Sequence, residues 1–312
     1  RANGTVAFPE MRKGEVGVCL ATLIARVRMG DIRNPYRSPE MSYASAQGQL
    51  TYYRVLEEQG HVRIVRDWET LEAHVQEWQE PTHERARLGF ILSMEGADAV
   101  MYRRQLHRWW DDGLRVLSLS HYGSNVYAHG TGTRGGLTRR GRELLEEMHS
   151  LGVILDVSHL SDESFWEALD CFDGRVLASH NNCRALVPGD RQFSDEQVQA
   201  LIERKAVIGV ALDAWMLYPG WVKGKTSNTV VSLEAVADQI GHIWKLAGDS
   251  LNIAVGSDLD GGFGREQSPY DLDSIASLQK IPHLLRKRGF GEEHIENIMF
   301  RNWLRLFREA WT

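Results

Sequence analysis

Val153-Ile-Leu-Asp-Val-Ser-His159 reads as a buried strand: a short, β-branched-rich apolar run that closes on a histidine. The next twenty residues decide the fold. Ser161 can cap a helix over 162–169, and a second apolar run, Val176-Leu-Ala-Ser-His180, again closes on a histidine. Strand, helix and strand in that succession make a parallel pair with a crossover helix. Three more runs have the same form: Gly89-Phe-Ile-Leu-Ser-Met-Glu95, Val116-Leu-Ser-Leu-Ser-His121 and Ile253-Ala-Val-Gly-Ser-Asp258. Each ends on a side chain that can bind a metal or move a proton. In barrels of parallel strands, catalytic groups sit where strands end and loops begin.

The alternation extends along the chain. Apolar runs at 16–24 and 207–212 complete a set of seven strands, beginning near residues 16, 88, 114, 153, 176, 207 and 253. Helical spacing covers 46–58, 68–79, 99–110, 232–247, 272–288 and 292–311. Thr138 caps a helix over 139–151 that stops at Gly152, and Ser194-Asp-Glu-Gln197 is a capping-box signature. A polar stretch, 31–45, reads as loop, and 213–231, with Trp215, Tyr218 and Trp221, as a lid or wall. An open sheet could use seven strands, but no Walker-type loop supports a nucleotide site, and the candidate groups fall on nearly every strand. The expectation is therefore α/β: a (β/α)8 TIM-like barrel, one domain over 1–312, with its first strand missing from the sequence.

At 43% hydrophobic, 312 residues can bury a core of that size. A net charge of −6 with no basic block excludes nucleic acid as the main partner. No apolar stretch approaches the roughly 18 residues of a transmembrane helix. Cys19, Cys171 and Cys183 form neither a disulfide framework nor a thiolate zinc site. They read as buried free thiols, which favours a reducing, cytoplasmic compartment. The chain starts at Arg1 without an initiator Met, which leaves an N-terminal targeting segment open.

His159 and His180 follow consecutive strands, so in a barrel their imidazoles converge. Zinc accepts two His and a carboxylate, here Glu95, and keeps a position for water whose pKa it lowers to about 7. Asp258 is placed to move a proton, and His121 to hydrogen-bond the oxyanion of a tetrahedral intermediate. Metal-assisted hydrolysis is the reaction class. Blander roles compete at each position. Either histidine can be a hydrogen-bonded structural residue, Glu95 a helix cap, and Asp258 and Asp260 turn residues. Asp156 reads as a satisfied barrel carboxylate and Arg191 as a surface loop cation. His129, His149, His242, His283 and His294 read as solvated.

Taken together, the segments resemble the membrane (renal-type) dipeptidase family of zinc hydrolases, amidohydrolase-like barrels. The matching stretches are Ser93-Met-Glu-Gly96, Leu119-Ser-His121, Gly136-Leu-Thr-x-x-Gly141, Leu151-Gly-Val-Ile-Leu-Asp-Val-Ser-His-Leu-Ser161, Ser179-His180, Arg184-Ala-Leu186, Asp190-Arg191, Gly256-Ser-Asp-Leu-Asp-Gly261 and Arg301-Asn-Trp-Leu-Arg-Leu-Phe307. The resemblance implies that Glu95 bridges two zinc ions, that His159 and His180 complete one site, and that His121 supports the intermediate. It also implies that Arg191 holds the substrate's carboxylate and that Asp258, ahead of Asp260, shuttles the proton. The substrate would be a dipeptide, with tolerance for a D-residue at its C-terminal position. Related barrels often pair, so a homodimer is the assembly to test.

One family feature is absent. The second zinc site uses a His-x-Asp pair on the first barrel strand, and no His-x-Asp occurs in the 312 residues. The missing pair and the missing strand are one observation, and the expectation is that the native polypeptide continues before Arg1. With such a strand two zinc ions are expected, and without it one. Two alternatives remain: a mononuclear amidohydrolase acting on an acyl-amino acid or lactam, and a non-catalytic barrel that binds peptides or metal.

Overall fold

The computed structural model describes residues 5–27, 36–80 and 86–312, so part of the polar 31–45 stretch lies outside the described residues. They form two compact units: Gly17–Val176 with Ala310–Thr312, and Arg1–Val16 with Leu177–Glu309.

The first unit is built on β1 (Val18–Leu23), β2 (Val62–Ile64), β3 (Leu88–Glu95), β4 (Leu114–Ser118) and β5 (Ile154–Asp156). All their ladders are parallel. β3 lies against β1 along most of its length, with Val18 opposite Gly89 and Leu23 opposite Met94. It also pairs with β2 at its start and with β4 at its end. The seven residues before Glu95 are buried, as a continuous apolar run with parallel neighbours requires. Each of its large side chains gains about 1.5–3 kcal/mol on burial. A bulge at Arg115 shifts the β3–β4 register between Leu92 and Ser93. The Arg115 guanidinium stacks 3.7 Å from the Trp110 ring.

Helices cover this sheet, and their ends are set by local chemistry. Thr138 caps Arg139–Leu151, and Gly152 ends it in the left-handed conformation with φ 73°. Ser161 caps Asp162–Cys171. The expected 46–58 helix starts earlier, spanning Pro39–Glu58, because Ser38 caps it and Pro39 takes its first turn.

The second unit holds β6 (Val176–Ala178), in this unit from Leu177 onward, with β7 (Val207–Val210) and β8 (Ile253–Val255) in parallel register. A Cβ on Gly209 or Gly256 would come within about 2 Å of the Ser179 carbonyl oxygen, at 2.2 and 1.9 Å. Only glycine allows that approach. The capping box at Ser194 opens Asp195–Glu203, and Glu234–Ala247 buries Val236, Ile240 and Ile243. The 3-10 turn Ile275–Gln279 holds the N-terminal helix Phe8–Lys13, with Ile275 N donating to Thr5 O at 2.8 Å.

All seven expected strands are present. The eighth among the described residues, β2, was not expected, and no strand precedes β1 among them. No described helix is long and apolar enough to cross a membrane. The cysteines are free as expected, but only Cys183 is buried, and Cys171 is exposed.

His74, fully buried in the first unit, is one of the histidines that sequence reasoning passed over. Its Nε2 lies 2.9 Å from Gly17 O, at the entry to β1, and its Nδ1 3.2 Å from Arg63 Nη1. Burial pulls its pKa below the ordinary 6.5, despite the Gly17 hydrogen bond. The folded state thus binds a proton less readily than the unfolded one. His74 contributes stability above pH 6.5 that is lost as pH falls toward its folded value. The urea midpoint should drop between about pH 7.5 and 5.5, and drop less in His74→Gln; equal slopes would show that His74 carries none of the dependence.

Candidate metal centre

In the first unit three expected residues come together. Glu95 ends β3, and its Oε1 lies 3.1 Å from His159 Nε2 and 3.7 Å from His121 Nε2. The His121 and His159 rings are 4.2 Å apart, centroid to centroid. His159 is almost fully buried and sits at φ 67°, a left-handed backbone that non-glycine residues seldom adopt outside special sites.

Two residues that the sequence did not single out hold this geometry. Ser118, the last residue of β4, places its Oγ 2.8 Å from Ser120 O and 3.1 Å from Ser158 O, the carbonyls just before His121 and His159. Thr131 clasps both histidines: its N–H faces His121 O at 3.1 Å and His159 O at 2.8 Å. Its Oγ1 lies 3.2 Å from His159 Nδ1 and 3.3 Å from His159 O. With the hydroxyl proton on that carbonyl, Nδ1–H donates to Oγ1 and the Nε2 lone pair faces Glu95. Two acceptors 3.1 Å apart require a proton or a metal cation between them. Thr131 sits in Gly130-Thr-Gly-Thr-Arg-Gly135, whose spacing matches a dinucleotide-binding turn. It lies well past the end of β4, not directly after it, which removes that meaning.

In the second unit His180 follows β6. Ser179 Oγ lies 2.7 Å from its Nδ1, and its Nε2 is 4.0 Å from Asp258 Oδ1. Both histidines thus engage a hydroxyl through Nδ1 and present Nε2 to a carboxylate. Asp258 and Asp260 both have positive φ, 55° and 61°. Their uses differ, because Asp260 accepts from the Thr5 hydroxyl and from Val6 N at 3.0 Å. Arg191 is no surface cation: it is 3% exposed, and it donates to Asn181 Oδ1 and, at 2.9 Å, to His180 O. The expected lid, 213–231, opens with Asp213, a buried carboxylate just beyond β7 that sequence reasoning missed. Burial pushes its pKa up to about 6, against the Gln267 amide and Trp215 N–H that hydrogen-bond it.

Hydroxyl-braced histidines beside strand-end carboxylates are side chains of the kind that can hold a metal cation. The sequence model of one family, the membrane dipeptidases (peptidase family M19), matches residues 1–312. The chain belongs to that family. Its members are metal-dependent peptide hydrolases, so the chain belongs to a class of metallopeptidases.

Curated relatives share about a quarter of the sequence. An uncharacterised Klebsiella pneumoniae protein is 27% identical over 242 residues, 74% of this chain and 86% of that protein. Dipeptidase tcpJ of Claviceps purpurea is 28% identical over 238 residues, 72% of this chain but 52% of its own length. The chain therefore spans about half of that fungal dipeptidase. Among solved structures, a metallopeptidase from Rhodobacter sphaeroides carrying a phosphinate mimic of the dipeptide L-Ala-D-Ala aligns with a TM-score of 0.85. The alignment covers 100% of this chain and 92% of the other at 22% identity. A second M19 dipeptidase gives the same TM-score and identity over 99% of this chain and 90% of its own. The fold is thus the α/β, TIM-like barrel type of these metallopeptidases, as expected from the sequence.

Proposed function

We propose that this chain is a zinc-dependent dipeptidase in which residues 1–312 act as one catalytic domain. The metal ligands are Glu95, His159 and His180. The observation that carries this reading is the 3.1 Å approach of Glu95 Oε1 to His159 Nε2, in a ring whose Nδ1 lies 3.2 Å from Thr131 Oγ1. Bound zinc would polarise the scissile carbonyl and lower the pKa of a water. The protein's residues do the rest. His121, beside His159, donates to the oxygen that gains charge as the carbonyl carbon becomes tetrahedral. Asp258 takes the proton from the attacking water and delivers it to the leaving amine. Arg191 receives the substrate's carboxylate, for which its planar fork suits it. The L-Ala-D-Ala mimic in the Rhodobacter structure supports acceptance of a D-residue at the C-terminal position. A homodimer is the assembly proposed.

The His-x-Asp pair that resemblance assigns to a second zinc is absent from the 312 residues, so zinc content is part of the test. Chelator-stripped protein is reloaded with zinc and assayed on L-Ala-L-Ala, L-Ala-D-Ala and N-acetyl-L-Ala. The dipeptidase reading expects zinc-dependent cleavage of one or both dipeptides. One zinc per chain with cleavage of the acetyl substrate alone would replace it with a mononuclear amidohydrolase. Neither zinc nor turnover would leave a non-catalytic binding barrel.

A further inference from the structure

Arg191 stands in a loop, Gly-Asp-Arg-Gln-Phe, whose sequence reads as surface, yet its guanidinium is buried. A buried arginine needs acceptors, and a free carboxylate beside it would cancel the charge a ligand carboxylate must meet. Among the described residues Arg191 donates to two neutral oxygens, Asn181 Oδ1 through Nη1 and His180 O through Nη2. They use two of its five N–H groups and leave the charge uncompensated among the described residues.

Asn181 is held firmly for this. It is fully buried, and its N–H donates to Gly209 O in β7 at 2.7 Å. Its Nδ2 has no hydrogen-bond partner among the described residues. A buried amide left with an unmet donor costs about 1–3 kcal/mol, so its side chain is not placed to satisfy itself. Its carbonyl end is committed to Arg191.

We propose that Asn181 is a specificity-determining positioning residue, a neutral acceptor that fixes the Arg191 fork for the carboxylate of the substrate and so selects free-acid dipeptides over their C-terminal amides. This rests on the dipeptidase reading and on Arg191 as the carboxylate receptor. Asparagine is the suitable residue because an aspartate in its place would form an ion pair with Arg191 and turn the substrate's carboxylate away.

The test compares the zinc-loaded wild type with Asn181→Asp and Asn181→Ala on L-Ala-L-Ala and on L-Ala-L-Ala amide. Hydrogen bonds to charged groups are worth about 1.5–3 kcal/mol, roughly 10- to 150-fold. KM for the free acid should rise at least about tenfold in both variants and most in Asn181→Asp. Expected kcat on the free acid stays within about threefold, because Asn181 does not touch the reacting atoms. Zinc content and kcat/KM for the amide should be unchanged. Equal losses on acid and amide, or no change in the acid-to-amide ratio, would overturn the proposal while the dipeptidase reading stands. A wild type that cleaves neither dipeptide would instead overturn that reading and this inference with it.

Discussion

Glu95→Ala should reduce dipeptide turnover by at least about 10^3-fold and strip most of the bound zinc, while the chain stays folded. The position of Glu95 comes from the backbone around it. β3 is laddered to β1 on one side and to β4 on the other, and Glu95 itself lies opposite Ser118. Its side chain is about one-sixth exposed and projects beyond the buried run, so truncation opens no core cavity. What is lost is a charge facing two imidazoles at 3.1 and 3.7 Å. A bound metal acting as a Lewis acid is worth several kcal/mol of transition-state stabilisation, which is lost with the metal, and about 4 kcal/mol is roughly 10^3-fold. Glu95→Gln separates charge from shape: it keeps the volume and loses the anion, and it should fail nearly as badly. The readouts are kcat/KM on L-Ala-L-Ala and zinc per chain by atomic absorption. Wild-type turnover in either variant would refute the ligand assignment.

Much of the scaffold was legible because its signals are local. A strand like β3 is announced by apolar residues alone, and a helix like Arg139–Leu151 by Thr138 and Gly152 at its ends. β2 was hidden because Val62-Arg-Ile64 is three residues with a polar centre, too short for any period to show. The parts of the site that were missed act across the sequence. Thr131 lies 28 residues from the histidine it braces, and Ser118 holds a carbonyl 40 residues away. Nothing in their neighbourhoods marks either one as a brace, and the glycine spacing around Thr131 points to a different role. Arg191 was misread for the converse reason: its neighbours are loop residues, and only tertiary packing onto His180 and Asn181 buries it.

Asp258 and Asp260 offered two candidates for one job, and their surroundings lead to opposite expected results. Both sit in the left-handed region, where Asp and Asn are tolerated, so each can be changed to Asn without new backbone strain. Asp258 faces His180, and Gly261 seats it: a Cβ there would fall 2.2 Å from Asp258 Oδ1. Asp258→Asn keeps that seat and removes only the ability to take a proton. A positioned acid–base group is worth about 10^2- to 10^4-fold, so kcat should fall by that factor, with KM and zinc content nearly unchanged. Asp260 spends both oxygens on the N-terminal segment, one on the Thr5 hydroxyl and one on Val6 N. Asp260, itself exposed, keeps one acceptor and loses the charge in Asp260→Asn, at a cost of about 0.5–1.5 kcal/mol in stability with kcat retained. Thermal unfolding and steady-state kinetics on the same two proteins separate the roles. Loss of kcat in Asp260→Asn with Asp258→Asn active would exchange the assignment, since only one of the two carboxylates can be committed to the N-terminal segment and the other to the proton.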